Sequence, residues 1–392
     1  MKQRYFHLIF STAIFLLFLA PAGYRLFVTM FPEPEYPAAV HPFPSLQVWN
    51  INNGQGIKGK IKGVYMDLSL NLNQYDDWYK TSFTFRSELL ELYKIIKIDI
   101  FHSQPFPDKV ILGRGDWLFT GDRFDGSLSE QLGYSRMTPE EINDLADMIA
   151  AFQKWCEGKD IFYVFMPTWG KAGLYSDSIP MKPAGIPSTL NALNRVLISK
   201  GVRVLDSRKQ LEKHRGKTLF FKHDSHWNGH GAWIAYRQLM DTLQTFNPDL
   251  HGLTAEEVTA DTIYPGDMDI AKLLGIKSSY PSIYVRPKIR RTQQAENRLS
   301  LPDNYTYVPP ENYEIRFRTD SAAQKLLVFR DSYFVHLMPL LLVSFKESVL
   351  IWHRVPDTTL ILQEQPDILI QQISERLIND MYFEIKNKAD QK

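Results

Sequence analysis

The sequence predicts an α/β fold, with a mostly parallel sheet, helices on both faces and one preceding N-terminal membrane helix. From about residue 110, short apolar runs alternate with segments of helical periodicity, which is typical of repeated βα units. Most of these runs are continuously apolar, as in strands that are buried on both faces of a sheet. The third observation is a stretch of 20 residues, 5–24, that contains no Asp, Glu, Lys or Arg.

This N-terminal stretch has the length of a transmembrane helix, since about 20 residues span a bilayer core. Lys2 and Arg4 precede it, and basic residues on that side favour a cytoplasmic N-terminus. We therefore expect residues 1–30 to be a membrane anchor or signal-anchor, with the rest of the chain in the periplasm at the inner membrane. The alternative is a cleaved signal peptide, because Ala20-Pro21-Ala22 resembles a cleavage site with small residues. The mature protein would then be soluble in the periplasm.

The segment after the anchor is rich in proline, with five prolines between residues 31 and 46. We interpret residues 31–74 as an extended spacer. The main domain is then predicted to cover residues 75–385. Residues 250–320 lack clear periodicity and are interpreted as an insertion with short strands.

The helices and strands of the domain are assigned from start signals and apolar runs. Thr138-Pro139-Glu140-Glu141 carries a helix N-cap, proline at the first position and a capping-box glutamate, and predicts a helix to about Gly158. Further helices are predicted over 75–101, 188–200 and 230–246, and from about residue 374. Strands are predicted over 110–112, 161–166, 202–205, 219–222, 326–329, 349–352 and 368–370.

Charge and cysteine content exclude some classes of protein. The chain has 45 basic and 44 acidic residues, so its formal charge of +1 gives no electrostatic reason to expect a nucleic-acid partner. Cys156 is the single cysteine, and no intramolecular disulfide can form. The many aromatic residues are interpreted as packing residues, with a sugar-stacking surface as the alternative.

Two predicted strand ends carry the residues of a nucleophilic site, which in open α/β sheets is the expected place for chemistry. The first, at residues 223–231, reads His-Asp-Ser-His-Trp-Asn-Gly-His-Gly, and the second, at 330–334, reads Arg-Asp-Ser-Tyr-Phe. Acyl transfer requires a hydroxyl, an imidazole that takes its proton and a carboxylate that orients the imidazole. Ser332, His226 and Asp224 supply these three groups. Asp224 and His226 are two residues apart, so in extended backbone they lie on one side.

The same residues resemble the alginate O-acetyltransferase family, the AlgJ/AlgX-like group with an Asp-His-His-Trp motif in the SGNH-hydrolase superfamily. The resemblance rests on residues 222–228 and on the serine block at 329–334. Supporting similarities lie at 110–119, 167–180 and 266–274, and the whole covers roughly residues 75–380. Two positions depart from the family pattern: Ser225 replaces the middle histidine, and Arg330 replaces a glycine two residues before the serine.

The resemblance implies an SGNH-hydrolase-like domain in which Asp224 orients His226, and His226 activates Ser332 to carry an acetyl group to a polysaccharide hydroxyl. It also implies a membrane-bound O-acyltransferase as acetyl donor and no cofactor. Candidates for oxyanion or substrate contacts are Arg330, Asn228, Trp227, Lys171 and Tyr175.

Three alternatives remain open. A glycan acetyl-esterase would use the same triad with water as acceptor. A metal site would use His223, Asp224, His226 and His230, which have suitable ligand atoms; our prediction assigns no metal. A non-catalytic scaffold of a polysaccharide export complex would use the fold only to bind sugar.

Overall fold

The computed structural model describes residues 86–288, 292–302, 305, 309–320 and 324–390, together with Leu72 and Gln74. The predicted membrane helix and nearly all of the predicted spacer lie outside these residues. Among the residues described, no helix combines the length and apolar character needed to cross a bilayer.

The chain divides into two compact units, residues 1–105 and 106–392. In the first unit, helix α1 (Arg86–Ile95) continues into a π-helical turn (Ile96–Ile100). This pair lies inside the amphipathic helix predicted over 75–101.

The second unit contains the remaining helices and all described strands. Its helices are α2 (Ser127–Gln131), α3 (Pro139–Glu157), α4 (Lys171–Leu174), α5 (Thr189–Ser199), α6 (Arg208–Lys213), α7 (Gly229–Phe246), α8 (Asp269–Leu274), α9 (Met338–Leu341), α10 (Thr358–Glu364) and α11 (Ile378–Asp390). Its strands are β1 (Val110–Leu112), β2 (Leu118–Thr120), β3 (Phe162–Thr168), β4 (Val258–Ile263), β5 (Ser282–Pro287), β6 (Gln293–Ala295), β7 (Glu314–Arg318), β8 (Lys325–Arg330), β9 (Glu347–Trp352) and β10 (Ile368–Ser374).

Six of these strands form the central sheet in the order β3-β10-β8-β9-β7-β6. The first four are parallel to one another, and β7 and β6 add an antiparallel edge. The prediction of a mostly parallel sheet is therefore confirmed. β8 lies inside the sheet between β10 and β9, so the residues that follow it emerge near the middle of the sheet's carboxyl edge.

The sheet is covered on both faces, because successive side chains along each buried strand enter different cores. Val328 of β8 packs in a core that includes Ala235 and Leu239 of α7. Its neighbour Phe329 packs in a second core with residues of α3, α5 and α11. This layered arrangement agrees with the predicted fold class. The capping box of α3 is also present, with Thr138 accepting from the backbone of Glu141.

Three parts of the fold differ from the sequence prediction. Residues 219–222 form no strand of the sheet, and only a bridge joins Phe220 to Trp227. Residues 202–205 likewise contribute only a bridge, from Val204 to Phe165. The predicted insertion over 250–320 supplies β6 and β7 to the main sheet, whereas β4 and β5 form a separate two-stranded antiparallel sheet. Apolar content alone did not distinguish a buried loop from a strand in these segments.

The antiparallel edge contains a buried cluster of charges centred on Arg316. Its guanidinium donates to Glu314 (3.0 Å), Glu347 (2.8 Å) and Glu364 (2.7 Å). Lys325 also donates to Glu364 at 2.7 Å. Burial opposes ionisation of Glu364, but the hydrogen bonds from Arg316 and Lys325 prevail and lower its pKa to about 2. Every carboxylate of this cluster faces a cation.

Candidate active site

Ser332 lies at the first turn after the central strand β8, where a short 3-10 helix (Ser332–His336) begins. Asp331 caps this turn by accepting from the N–H of Tyr333 at 2.9 Å. The same carboxylate accepts from the N–H of Ser374 (2.6 Å) and from the amide of Gln372 (2.9 Å) on β10. These contacts fix the turn to the neighbouring strand, so the Ser332 side chain has a defined position.

His226 lies in a loop, residues 223–228, which we call the His loop. Buried Lys171, at the start of α4, donates from Nζ to the carbonyls of Phe221 (3.2 Å), Lys222 (3.2 Å) and Asp224 (2.6 Å). The Lys222 carbonyl also accepts from the N–H of Leu118 at 2.9 Å. Among the described residues, the carbonyls of Phe221 and Asp224 depend on Lys171 for a donor, and a carbonyl left without one in the interior is costly. Burial lowers the pKa of Lys171 to about 7. Lys171 therefore holds the backbone of the His loop and is too buried to be a surface contact for substrate.

Two aromatic side chains join the His loop to the serine turn. The indole N–H of Trp227 donates to the carbonyl of Tyr333 at 2.9 Å, and the Tyr333 hydroxyl donates to the carbonyl of Ser225 at 2.6 Å. Both side chains are buried. The Tyr333 ring also lies 4.9 Å from that of His226 between centroids. The two segments are thereby linked in both directions, which sets their separation.

Ser332, His226 and Asp224 form a continuous chain of hydrogen bonds. Nε2 of His226 lies 2.7 Å from Oγ of Ser332, and Nδ1 of His226 lies 2.6 Å from Oδ1 of Asp224. Asp224 also accepts from the N–H of His226 at 3.0 Å. Burial opposes ionisation of Asp224, but hydrogen bonds from His226 and from the Asp269 N–H prevail and lower its pKa. A carboxylate in this position fixes the ring with a proton on Nδ1 and leaves Nε2 free to accept the serine proton.

A second carboxylate, Asp269, lies beside this chain and was not predicted. Its N–H donates to Oδ2 of Asp224 (2.9 Å), and it accepts from the N–H of Ser225 (2.7 Å) and from the Ser225 hydroxyl. Its Oδ2 lies 3.8 Å from Nδ1 of His226. Burial and the charge of Asp224 raise the pKa of Asp269. The cluster thus holds two carboxylates around one imidazole.

One oxyanion donor is available at the serine itself. Within the part of the chain that the structure describes, the N–H of Ser332 donates to no protein acceptor. It belongs to the first turn of a helix, where backbone donors have no partner within the helix. An acyl oxygen that develops negative charge beside Oγ can receive this hydrogen bond.

The other predicted contacts have structural partners. Asn228 caps α7 by accepting from the N–H of His230 (2.9 Å) and donates to Thr218 (2.8 Å). The hydroxyl of Tyr175 accepts from the N–H of Leu219 at 3.1 Å.

Arg330 is 1% exposed, and its guanidinium stacks on Trp352, 4.3 Å from the ring centroid. Burial lowers its pKa to about 10. Its one hydrogen bond among the described residues goes to the Asp331 carbonyl at 3.4 Å, so it supports the strand end and does not reach Ser332.

The four residues of the metal-site alternative do not converge. His223 lies 3.1 Å from the carbonyl of Asp116 through Nε2, and His230 lines a separate groove. In the described ranges, Asp224, His226 and Asp269 are the one group whose ligand atoms lie within 4.8 Å of one another. Both nitrogens of His226 already have partners there, which disfavours metal binding.

Sequence reasoning missed Asp269 and the hydroxyl of Tyr333. Asp269 lies in the segment interpreted as an irregular insertion. The family similarity at 266–274 includes this position, but no periodicity or spacing indicated a role for its carboxylate. Tyr333 stood next to the predicted nucleophile and had the apolar surroundings of a packing residue. Its position next to Ser332 was the one feature of the sequence that could have indicated a role in the site.

Residues 110–303 match the family model of the SGNH hydrolase-like domain of the acetyltransferase AlgX. This chain contains an AlgX-type SGNH hydrolase-like domain. The resemblance predicted from the sequence is confirmed. Asp224 and His226 lie inside the matched segment, and Ser332 lies beyond it. A comparison with curated protein sequences gives no match.

Solved structures with a similar fold include PatB1 from Bacillus cereus, in a form with a sulfonyl adduct. It is 16% identical, with a TM-score of 0.52 over 70% of this chain and 98% of the other. The O-acetyltransferase domain of AlgJ from Pseudomonas putida is 16% identical, with a TM-score of 0.44. The match covers 69% of this chain and 92% of the AlgJ chain. AlgX from Pseudomonas aeruginosa is 16% identical, with a TM-score of 0.43. The match covers 69% of this chain and 62% of the AlgX chain. At this identity, the likeness to PatB1 shows that the two chains share a fold, and nothing more.

Proposed function

We propose that this protein is a polysaccharide O-acetyltransferase that works through Ser332, His226 and Asp224 and an acetyl-serine intermediate. The observation that carries the proposal is the continuous hydrogen-bond chain from Asp224 to Ser332 in an AlgX-type domain. The acetyltransferase family supports acetyl as the group transferred.

In the first step, Oγ of Ser332 attacks the carbonyl carbon of an acetyl donor while Nε2 of His226 takes its proton. Asp224 stabilises the imidazolium that forms. The tetrahedral intermediate carries its negative charge on the former carbonyl oxygen, and the N–H of Ser332 donates to it. The intermediate then collapses, the donor's oxygen leaves with the proton of His226, and acetyl-serine remains.

In the second step, a sugar hydroxyl attacks the acetyl-serine, and His226 takes the hydroxyl proton. The bond to Oγ breaks, the serine regains its proton from His226, and the product is an O-acetylated sugar. If water attacks instead, the product is acetate and the protein is an acetyl-esterase. The same residues serve both reactions, so the acceptor that enters the site decides between them.

The proposal includes a location and a donor. An N-terminal segment of 20 residues without Asp, Glu, Lys or Arg supports an anchor in the inner membrane with the domain in the periplasm. Acetyl groups activated in the cytoplasm would then have to cross the membrane. We assign this step to a membrane-bound O-acyltransferase, as the family resemblance implies.

The experiment is to incubate the full-length protein with a chromogenic acetyl ester, quench it with acid and analyse its peptides by mass spectrometry. We expect a peptide that contains Ser332 to gain one acetyl group. A sulfonyl fluoride should label the same peptide and prevent acetylation. An acetyl group on another residue, or no acylation in protein that turns the ester over, would contradict the proposal.

Adding polysaccharide to the same reaction separates transferase from esterase. A transferase should release the chromophore faster as glycan is added and should place acetyl on the glycan, detected by NMR. An esterase should release acetate at a rate that does not depend on the glycan. The Ser332→Ala protein serves as the control for transfer without enzyme.

A further inference from the structure

A second imidazole, that of His336, lies beside the candidate active site and has no role in the chemistry proposed above. His336 ends the 3-10 helix that begins at Ser332. Side chains three residues apart in a 3-10 helix eclipse each other, so His336 shares a face with Tyr333. The Tyr333 ring lies 4.9 Å from the ring of His226 between centroids. The helix therefore directs His336 to the side on which His226 lies.

The contacts of His336 connect it to the His loop. Its ring lies 5.2 Å from the ring of Phe221 between centroids. The N–H of Phe221 in turn donates to the carbonyl of His226 at 3.2 Å. His336 is thus held against the segment that carries His226, and its ring is only partly buried there.

The ring of His336 is neutral at pH 7. Burial, together with the positive charge that His226 can carry, lowers the pKa of His336 to about 4, although the charge of Asp224 opposes this. Such a ring is too weak a base to take the serine proton in place of His226. A neutral imidazole still has one N–H donor and one acceptor nitrogen.

The two nitrogens of His336 have different surroundings. Nδ1 is enclosed, and among the described residues it has no hydrogen-bond partner. A proton on Nδ1 would therefore be an enclosed donor without an acceptor, which costs about 1–3 kcal/mol. Nε2 is not enclosed in this way. We place the proton of the neutral ring on Nε2, where the N–H is accessible to a substrate.

We propose that His336 is a further catalytic residue, whose Nε2–H donates a hydrogen bond to the substrate oxygen that exchanges a proton with His226. The inference rests on the proposed function, because it assigns a role within the two steps of acetyl transfer. It follows from the position of the ring beside His226 and from the accessible N–H that no protein acceptor occupies among the described residues.

The hydrogen bond from His336 serves both steps. In the first, the bond between the carbonyl carbon and the leaving oxygen breaks, the electron pair stays on that oxygen, and the proton of His226 moves to it. The N–H of His336 stabilises the negative charge that develops there. In the second step, an acceptor hydroxyl occupies the same place, and a hydrogen bond to its oxygen directs its own proton toward Nε2 of His226.

The test compares two acetyl esters that differ in their need for this hydrogen bond. Nitrophenyl acetate releases a phenolate that is stable by itself, whereas ethyl acetate releases an oxygen that must be stabilised as it leaves. The rate of Ser332 acylation in full-length protein is measured by acid quench and mass spectrometry. In His336→Leu we expect the saturating rate with ethyl acetate to fall by about 10- to 100-fold, the scale of a hydrogen bond to a charged group. The half-saturating concentration, and the rate with nitrophenyl acetate, should change little.

Two further variants distinguish a hydrogen-bond donor from a packing residue. His336→Gln keeps an amide N–H near the position of Nε2 and should restore most of the rate with ethyl acetate. His336→Asn, whose shorter amide reaches only the position of Nδ1, should behave like His336→Leu. His251→Leu is the matched control, because His251 is exposed, and it should leave both rates unchanged.

Equal losses with the two esters, or equal losses in His336→Gln and His336→Asn, would show that the ring only supports the structure and would overturn the inference. Melting temperatures identify variants that do not fold, and if His336→Leu is one of them, the comparison of His336→Gln with His336→Asn decides. Wild-type protein without acetyl on Ser332 would remove the proposed function and this inference with it. Acetylation of Ser332 that does not depend on His336 would remove only the role of His336.

Discussion

The molecule contains two clusters of buried charges that are assembled in different ways. Around Arg316, three glutamates face Arg316, Lys325 and Arg318, so charge is matched within the cluster. Around His226, two carboxylates face one imidazole, and the pKa of Asp269 is raised by burial and by Asp224. The comparison shows that matched charges fix a structure. In the other cluster, the carboxylates beside His226 are in excess and are placed to stabilise the positive charge that the ring gains during the proposed reaction.

The largest expected effect is that of Ser332→Ala on turnover. Removing the hydroxyl removes the nucleophile, and we expect turnover of a chromogenic acetyl ester to fall on the order of 10⁶-fold, as in serine proteases. The melting temperature should stay within about 2 °C, because the contacts of Asp224 and His226 remain. Ser199→Ala, on the exposed end of α5, is the control. Turnover within tenfold of wild type would identify another nucleophile.

Arg316→Met tests the cluster around Arg316, in which the charges are matched. It leaves Glu314, Glu347 and Glu364 without their shared cation, and we expect the free energy of unfolding to drop by about 3–5 kcal/mol. Turnover per folded molecule should not change. Arg318→Met is the matched control, because its side chain is half exposed with one 3.4 Å contact to Glu347, and it should cost less than about 1 kcal/mol. Urea unfolding measures the free energy of unfolding of both variants. Equal losses would contradict the central role of Arg316 in this cluster.

Asp269→Asn removes the excess charge at the His226 cluster. We expect kcat to fall by about 10- to 100-fold with KM unchanged. A charge-assisted hydrogen bond contributes about 1.5–3 kcal/mol, which corresponds to a change in rate of this size. Burial and Asp224 raise the pKa of Asp269, so ionisation of this carboxyl contributes to the acid limb of the pH–rate profile, and asparagine has no such ionisation. The acid limb of the pH–rate profile should therefore move to lower pH.

Asp267→Asn is the control for this variant, because Asp267 is exposed and lies 3.8 Å from Lys272. A shift of the acid limb in both variants would indicate a general charge effect. A change in KM alone would place Asp269 in substrate binding and not in the positioning of His226.

Glu130 offers the smallest effect and a third case, a buried carboxylate that has no cation partner among the described residues. Burial, together with the charge of Glu375, raises its pKa from 4.5 to about 7. Between these pH values the unfolded chain is ionised and the folded chain is protonated, so stability is lost as pH rises through the window. Glu130→Gln should therefore be more stable than wild type at pH 8, by about 1–3 kcal/mol, and about equal at pH 4.

Urea unfolding at the two pH values measures this difference, with exposed Glu140→Gln as the control. A stability difference between wild type and Glu130→Gln that does not change with pH would show that Glu130 has the same ionisation state in the folded and unfolded chains.

The sheet was predictable where strands are buried on both faces, because a continuous apolar run between turn residues has few other interpretations. β3, β8, β9 and β10 all lie on predicted runs. Residues 219–222 have a similar composition, and the first three are buried, but the segment forms a loop. Burial requires apolar side chains in either case, so composition did not reveal which segment pairs with a neighbouring strand. β6 and β7 are partly exposed, which explains why their pattern was too weak to predict.

The sequence by itself determined the local features of this protein: the capped start of α3, the two-residue spacing of Asp224 and His226, and the serine that follows a buried strand. Only the tertiary structure decided that His226 and Ser332, separated by 106 residues, lie 2.7 Å apart. It also decided that Lys171 holds the His loop and that Asp269 joins the cluster. Local features follow from the preferences of neighbouring residues, whereas these contacts depend on the packing of the whole domain.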